Sequence, residues 1–202
     1  MSISPAEPDP APEPGVSASE SRRVVEATRA WLQHAVVGLN LCPFAKAPLV
    51  KGQVRIVVCG SADPRRLMDC LCAELDELAA ADPAEVETTL LVHPRALLDF
   101  EDYNDFLDAA DAVLAERGHE GVLQIASFHP DYRFAEAAAD DVSNATNRAP
   151  HPILHLLREA SVARAVAAFP EASLIYEHNI ATLERLGAAG WEALAARWRP
   201  AD

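Results

Sequence analysis

The sequence predicts an α/β fold: a single domain with a small, mainly parallel sheet of about three strands and helices packed around it. Three observations carry this. Strand-like runs "VRIVVC" (54–59), "ETTLLVH" (87–93) and "GVLQIASFH" (121–129) start about 33 and 34 residues apart. Helical apolar periodicity fills both gaps. The runs are apolar almost throughout, as strands covered on both faces are. Strand–helix–strand at this spacing implies right-handed crossovers and parallel pairing.

The elements follow in order. Residues 1–20 hold five prolines, four acidic residues and no basic one. Such a segment cannot bury enough apolar surface to order itself, so it reads as a disordered acidic tail, with the domain over 21–202. Val24, Thr28, Trp31, Leu32, Ala35 and Val36 form one stripe, predicting a helix from Ser21 to about Gly38. Gly38 and Asn40 are C-terminal cap types, and Pro43 prevents continuation. Asp63-Pro64 reads as N-cap and first-turn proline of a second helix, whose stripe includes Leu67, Leu71, Leu75 and Leu78. Phe100, Tyr103, Phe106, Ala110 and Leu114 mark a third. A polar loop then runs from Pro130 to Pro150, long enough to suggest a role of its own. Helices are expected over 151–169, 172–187 and 190–198, the last two separated by Gly187 and Gly190.

Charge narrows the classes. Lys and Arg number 17 against 31 Asp and Glu, a net charge of −14. Nucleic acid requires a basic footprint, and anionic lipid repels such a surface. No apolar run approaches the roughly 20 residues of a membrane span, and no signal peptide is legible. Cys42, Cys59, Cys70 and Cys72 match no disulfide framework or zinc finger, which fits a reducing, cytoplasmic setting. Cys72 falls on an apolar helix stripe; Cys70 falls off it.

Parallel strands would bring Cys59, His93 and His129 to one edge, where open α/β sheets bind ligands. Both histidines precede proline, and a strand end alone explains each His-Pro. The loop adds Asn144, Asn147 and Arg148, and the expected helix places His151, His155 and Arg158 on one strip. Three chemistries compete. His151 and His155 at i and i+4, with His93 or His129, suit a metal, although HExxH is absent. Cys42 with His129 or His93 as base suits a nucleophile. However, a preceding helix C-terminus disfavours thiolate unless Lys46 and Lys51, the chain's two lysines, point inward. The third is a polar pocket for a small anionic ligand. There Arg148 and Arg158 grip the anion, and Asn40, Lys46, Asn144, Asn147 and His155 add contacts, with His129 as acid/base. The preferred expectation is this small-molecule enzyme or binder, its cofactor and oligomeric state left open. The rival is a non-catalytic interaction or regulatory protein whose polar cluster ties the loop to the sheet.

The stretches "GLNLCPFAK", "SFHPDYRF" and "NATNRAPHPILHLLRE" resemble a bacterial family known as domain of unknown function 1415, over roughly residues 22–196. The resemblance implies no particular activity. It marks Asn40, Cys42, Pro43, Phe44, Lys46, His129, Asn147, Arg148, His155, Arg158 and Glu159 as motif positions. In that family the position of His151 is often tyrosine, which speaks against the His151–His155 metal pair.

Overall fold

A computed structural model describes residues 15–168 and 174–199. Of the expected disordered tail, residues 1–14 lie outside the described residues, as do parts of the C-terminal expectations at 169, 172–173 and 200–202. Helix α1 (Ala18–Trp31) begins inside the span assigned to the tail. Ser17 is its N-cap, its hydroxyl accepting from the Glu20 amide at 3.2 Å. A π turn, Leu32–Val37, continues it to Gly38. Asn40 then takes a left-handed conformation (φ 56°), the cap role its side chain favours, and Leu41 N–H returns to the Val36 carbonyl at 2.9 Å.

The sheet holds four strands in the order β1-β2-β4-β3, with β1 Val54–Val58, β2 Thr88–Val92, β3 Leu123–Phe128 and β4 Ile153–Arg158. β1 and β2 are parallel, whereas β4 runs antiparallel to both β2 and β3. The sheet is therefore mixed and four-stranded rather than mainly parallel and three-stranded. The difference comes from "ILHLLR", which the periodicity assigned to a helix beginning near His151. Six largely apolar residues satisfy either pattern. Pro150 and Pro152 bias the residues before them towards extended backbone, and the gap between β2 and β3 supplies ladder partners on both sides. Helix α5 (Glu159–Ala168) starts only where the strand ends.

The remaining helices are α2 (Lys46–Lys51), α3 (Pro64–Ala80), α4 (Phe100–Glu116) and α6 (Ile175–Ala195). The expected cap of α3 is present, Asp63 accepting from the Arg65 amide at 2.9 Å. The two expected C-terminal helices form one element broken at Gly187, whose φ of 69° and ψ of 168° are non-helical. The long loop contains a 3₁₀ segment, Val142–Asn147.

Alternation along the strands splits the core into two layers. On one face Leu90, Val92 and Ile153 pack against Trp31, Leu32 and Leu183. On the other, Leu91, Leu154 and Leu156 pack against Leu71, Leu75 and Tyr103 of α3 and α4. Among the described residues no helix is long and apolar enough to cross a membrane.

Candidate functional site

β1, β2 and β3 point the same way, so Cys59, His93 and His129 do share an edge of the sheet. Backbone bonds stitch that edge: Cys59 N–H to Val92 O at 2.8 Å, His93 N–H to Pro152 O at 3.1 Å, and His129 N–H to Asn147 O at 3.1 Å.

Both edge histidines are fully buried. His93 Nδ1 lies 3.0 Å from the Ala96 carbonyl, which assigns the proton to Nδ1 and leaves Nε2 a buried acceptor with no partner among the described residues. Burial lowers its pKa to about 4. His129 accepts the Asp131 amide on Nδ1 at 3.0 Å and, with its proton then on Nε2, donates to the Leu97 carbonyl at 3.2 Å. Burial again shifts its pKa downward. Both rings, the alternative bases considered for Cys42, pack beside Tyr103 of α4, at centroid distances of 5.8 and 5.1 Å. Tyr103 donates to the Ile153 carbonyl at 2.8 Å and accepts the Phe128 amide at 3.1 Å, joining β3 and β4 at the same edge. Its only sequence signal was its place on the apolar helix stripe.

The expected anion-binding residues spend their donors on the chain's own carbonyls. Arg148 donates to Tyr132 O (3.3 Å) and Ala139 O (2.9 Å). Asn144 accepts from Phe134 N–H at 3.0 Å and donates to Ala138 O at 2.8 Å. Asn147 donates to Ser127 O at 3.2 Å. Arg158 sits at the opposite edge, where its guanidinium holds the carbonyls of Leu78, Ala81 and Val86 at 2.7 to 3.1 Å. The direction of β4 thus keeps Arg158 away from Arg148 and His129, while His155 and Arg158 both line a cavity with Cys42.

His155 lies in mid-strand on the α1 side, beside Phe128 at 6.0 Å. Its Nε2 is 2.7 Å from Thr88 Oγ1, whose single proton goes to Leu156 O at 2.6 Å. The imidazole is therefore the donor, which places its proton on Nε2. Burial lowers its pKa to about 4. The helical His151–His155 metal pair does not exist. Among the described residues no three His, Cys, Asp or Glu side chains are grouped to hold an ion.

The "NLCPFAK" turn packs over this same face, not over the edge near His129. Cys42, Phe44, Pro48, Leu90 and His155 line a cavity of about 100 Å³ there. Asn179 Nδ2 holds the turn through the Leu41 carbonyl at 2.9 Å. Lys46 and Lys51 are exposed, so neither points inward beside the thiol. Backbone amides of Phe44 and Ala45 do reach the Cys42 sulfur, yet burial outweighs them and pushes the thiol up. Neutral thiol is the resting form.

A wider opening lies elsewhere at the strand ends. A cleft of about 560 Å³ is bounded by Pro94, which follows His93, by Arg23, His151, Arg197, Trp198 and Arg199, and by the carboxylates of Glu20 and Glu26. His151, Trp198 and Arg199 also line an adjoining cavity of about 120 Å³, together with Arg148. Glu20 at the rim is held by Arg95 at 2.9 Å, and Arg199 pairs with Glu192 at 2.7 Å. The side chains of Arg23 and Arg197 have no hydrogen-bond or ion-pair partner among the described residues. Burial lowers the pKa of His151. Sequence reasoning missed the arginines, since α1 and the C-terminus carry no motif linking them to the histidine loop.

Comparison with curated proteins and with solved structures finds no match. The family model described as protein of unknown function, DUF1415, matches residues 23–193, and on that extent the chain belongs to this family.

Proposed function

We propose that the protein binds, or acts on, a small anionic molecule in the cleft at the carboxyl edge of the strands. The carrying observation is that Arg23 and Arg197, both unpaired among the described residues, face one cleft with His151 in a chain of net charge −14. An acidic surface repels anions, so a local basic cluster is what an anion-binding site in such a protein requires. Position adds support, since α/β sheets bind ligands beyond strand carboxyl ends. Here Arg23 and Arg197 take over the grip first expected of Arg148 and Arg158. His151, neutral through burial, gains a proton more readily beside an anion.

The test is melting temperature and calorimetric titration with phosphate and with citrate at low ionic strength. At least one anion should stabilise the protein, with affinity rising as pH falls from 7 to 5.5. Arg23→Ala and Arg197→Ala should each weaken binding roughly ten- to a hundredfold, in line with a charge-assisted contact of about 1.5–3 kcal/mol. Binding unchanged in both variants sinks the reading.

One observation favours a second reading, a non-catalytic interaction or regulatory protein. Arg148, Asn144 and Asn147 are satisfied by backbone carbonyls, as a loop-tying network would be. No stabilisation by either anion, with the arginine variants equally stable, is the outcome that reading expects.

A further inference from the structure

Cys59 follows β1 and Cys70 falls off the apolar stripe of α3, yet their sulfurs lie 3.0 Å apart. A disulfide bond is about 2.0 Å long, so roughly 1 Å separates the pair from bonding distance. Each sits on an independently anchored element. Cys59 ends β1, buried at 4% exposure, with its amide fixed to Val92 O at 2.8 Å. Cys70 is half-buried on α3, whose neighbouring Leu67 and Leu71 are fully packed in the core. Cys70 is thus the more exposed residue of the pair, and Cys59 the buried one. Among the described residues the Cys59 sulfur has one further hydrogen-bond neighbour, the Arg66 carbonyl at 4.0 Å.

We propose that Cys59 and Cys70 are a dithiol oxidation site that closes to a disulfide with small disulfides such as oxidised glutathione. The Cys70 thiolate attacks one glutathione sulfur, breaking the external S–S bond and releasing one glutathione thiolate. Cys59 then attacks the Cys70 sulfur of the mixed disulfide and expels the second glutathione. The two protons lost by the cysteines pass through solvent to the leaving thiolates. Two protein thiols are oxidised and one external disulfide is reduced to two thiols, so the exchange balances.

The surroundings set its rate. Burial, then Cys59 and the carboxylates of Glu74 and Asp69, push the Cys70 thiol up to about 12. Glu74 is itself held by Arg55 at 3.0 Å, and Asp69 by Arg66 at 3.5 Å. Thiolate is scarce at neutral pH, so the reaction is slow at pH 7 and accelerates close to tenfold per pH unit up to pH 9. The product staples the end of β1 to α3 and closes the loop that carries the Asp63 cap, so the oxidised form should melt higher.

The experiment treats folded protein with excess oxidised glutathione at pH 8.5, quenches with acid, counts thiols in denaturant and maps peptides. Two of the four cysteines should be lost as a 59–70 cross-link carrying no glutathione. The same should happen in a Cys42→Ala, Cys72→Ala background. In Cys59→Ser, Cys70 should stop at the glutathione adduct. Two outcomes overturn the proposal: Cys59 and Cys70 both remaining reduced, or Cys70 retaining glutathione beside an intact Cys59 thiol. Peptide mapping of the unaltered protein decides the question even if a variant fails to fold.

Discussion

His93 and His155 are each held neutral, and each has its proton assigned by a single neighbour, Ala96 O for one and the Thr88 hydroxyl for the other. Both pKa values fall from 6.5 to about 4 on folding, by burial. The unfolded chain therefore takes up protons first. The stability these residues contribute is present above pH 6.5 and is lost as pH falls through 6.5 towards 4, on the order of 3 kcal/mol each. Urea midpoints at pH 7, 6 and 5 should drop steadily, and His155→Gln should flatten part of the decline. A midpoint that stays constant over that range would show that neither ring is held neutral. The sequence did mark His93 and His129 as unusual, because His-Pro at strand ends is visible in one dimension. It could not show that Ala96, Leu97 and Asp131 would occupy the ring nitrogens, since those partners are set by how the following turns fold back.

Among the elements, the Pro130–Pro150 loop and β4 departed most from expectation. The loop was legible as long and polar, and its Asn and Arg residues as directed donors. Their acceptors proved to be carbonyls of the same loop and of β3. A loop that makes its own polar contacts is a folded unit with measurable stability. Asn144→Ala removes bonds to Phe134 and Ala138 and should cost the loop about 1–2 kcal/mol. Native-state hydrogen exchange should then speed up over residues 130–147 while the amides of β2 and β4 keep their protection. Equal exchange in the loop would mean that Asn144 does not hold it. In β4 the local pattern was ambiguous, and tertiary demand chose between the alternatives. A strand was needed between β2 and β3, and "ILHLLR" offered apolar side chains for both faces.

For the whole molecule, charge is the governing quantity. A net −14 spread over the surface repels itself, and salt screens that repulsion. The Debye length shortens from about 30 Å at 0.01 M to about 8 Å at 0.15 M. Urea midpoints at pH 7 should therefore rise over that interval. A fall would mean that exposed pairs such as Arg117–Asp76 and Arg199–Glu192 outweigh the repulsion. The proposed anion cleft belongs to this scale too, because Arg23, His151 and Arg197 come from α1, the approach to β4 and the end of the chain. Local order was already written in the chain: the helix stripes, the Asp63 cap, the Asn40 stop, three of the four strands and the shared edge of Cys59, His93 and His129. Each rests on periodicity or on a backbone preference that neighbours in sequence suffice to express. Tertiary structure alone decided that "ILHLLR" is a strand, that Arg158 and His129 sit at opposite edges, and that Cys70 meets Cys59. Those outcomes depend on strand direction and on which face a residue presents, and both are chosen by distant partners.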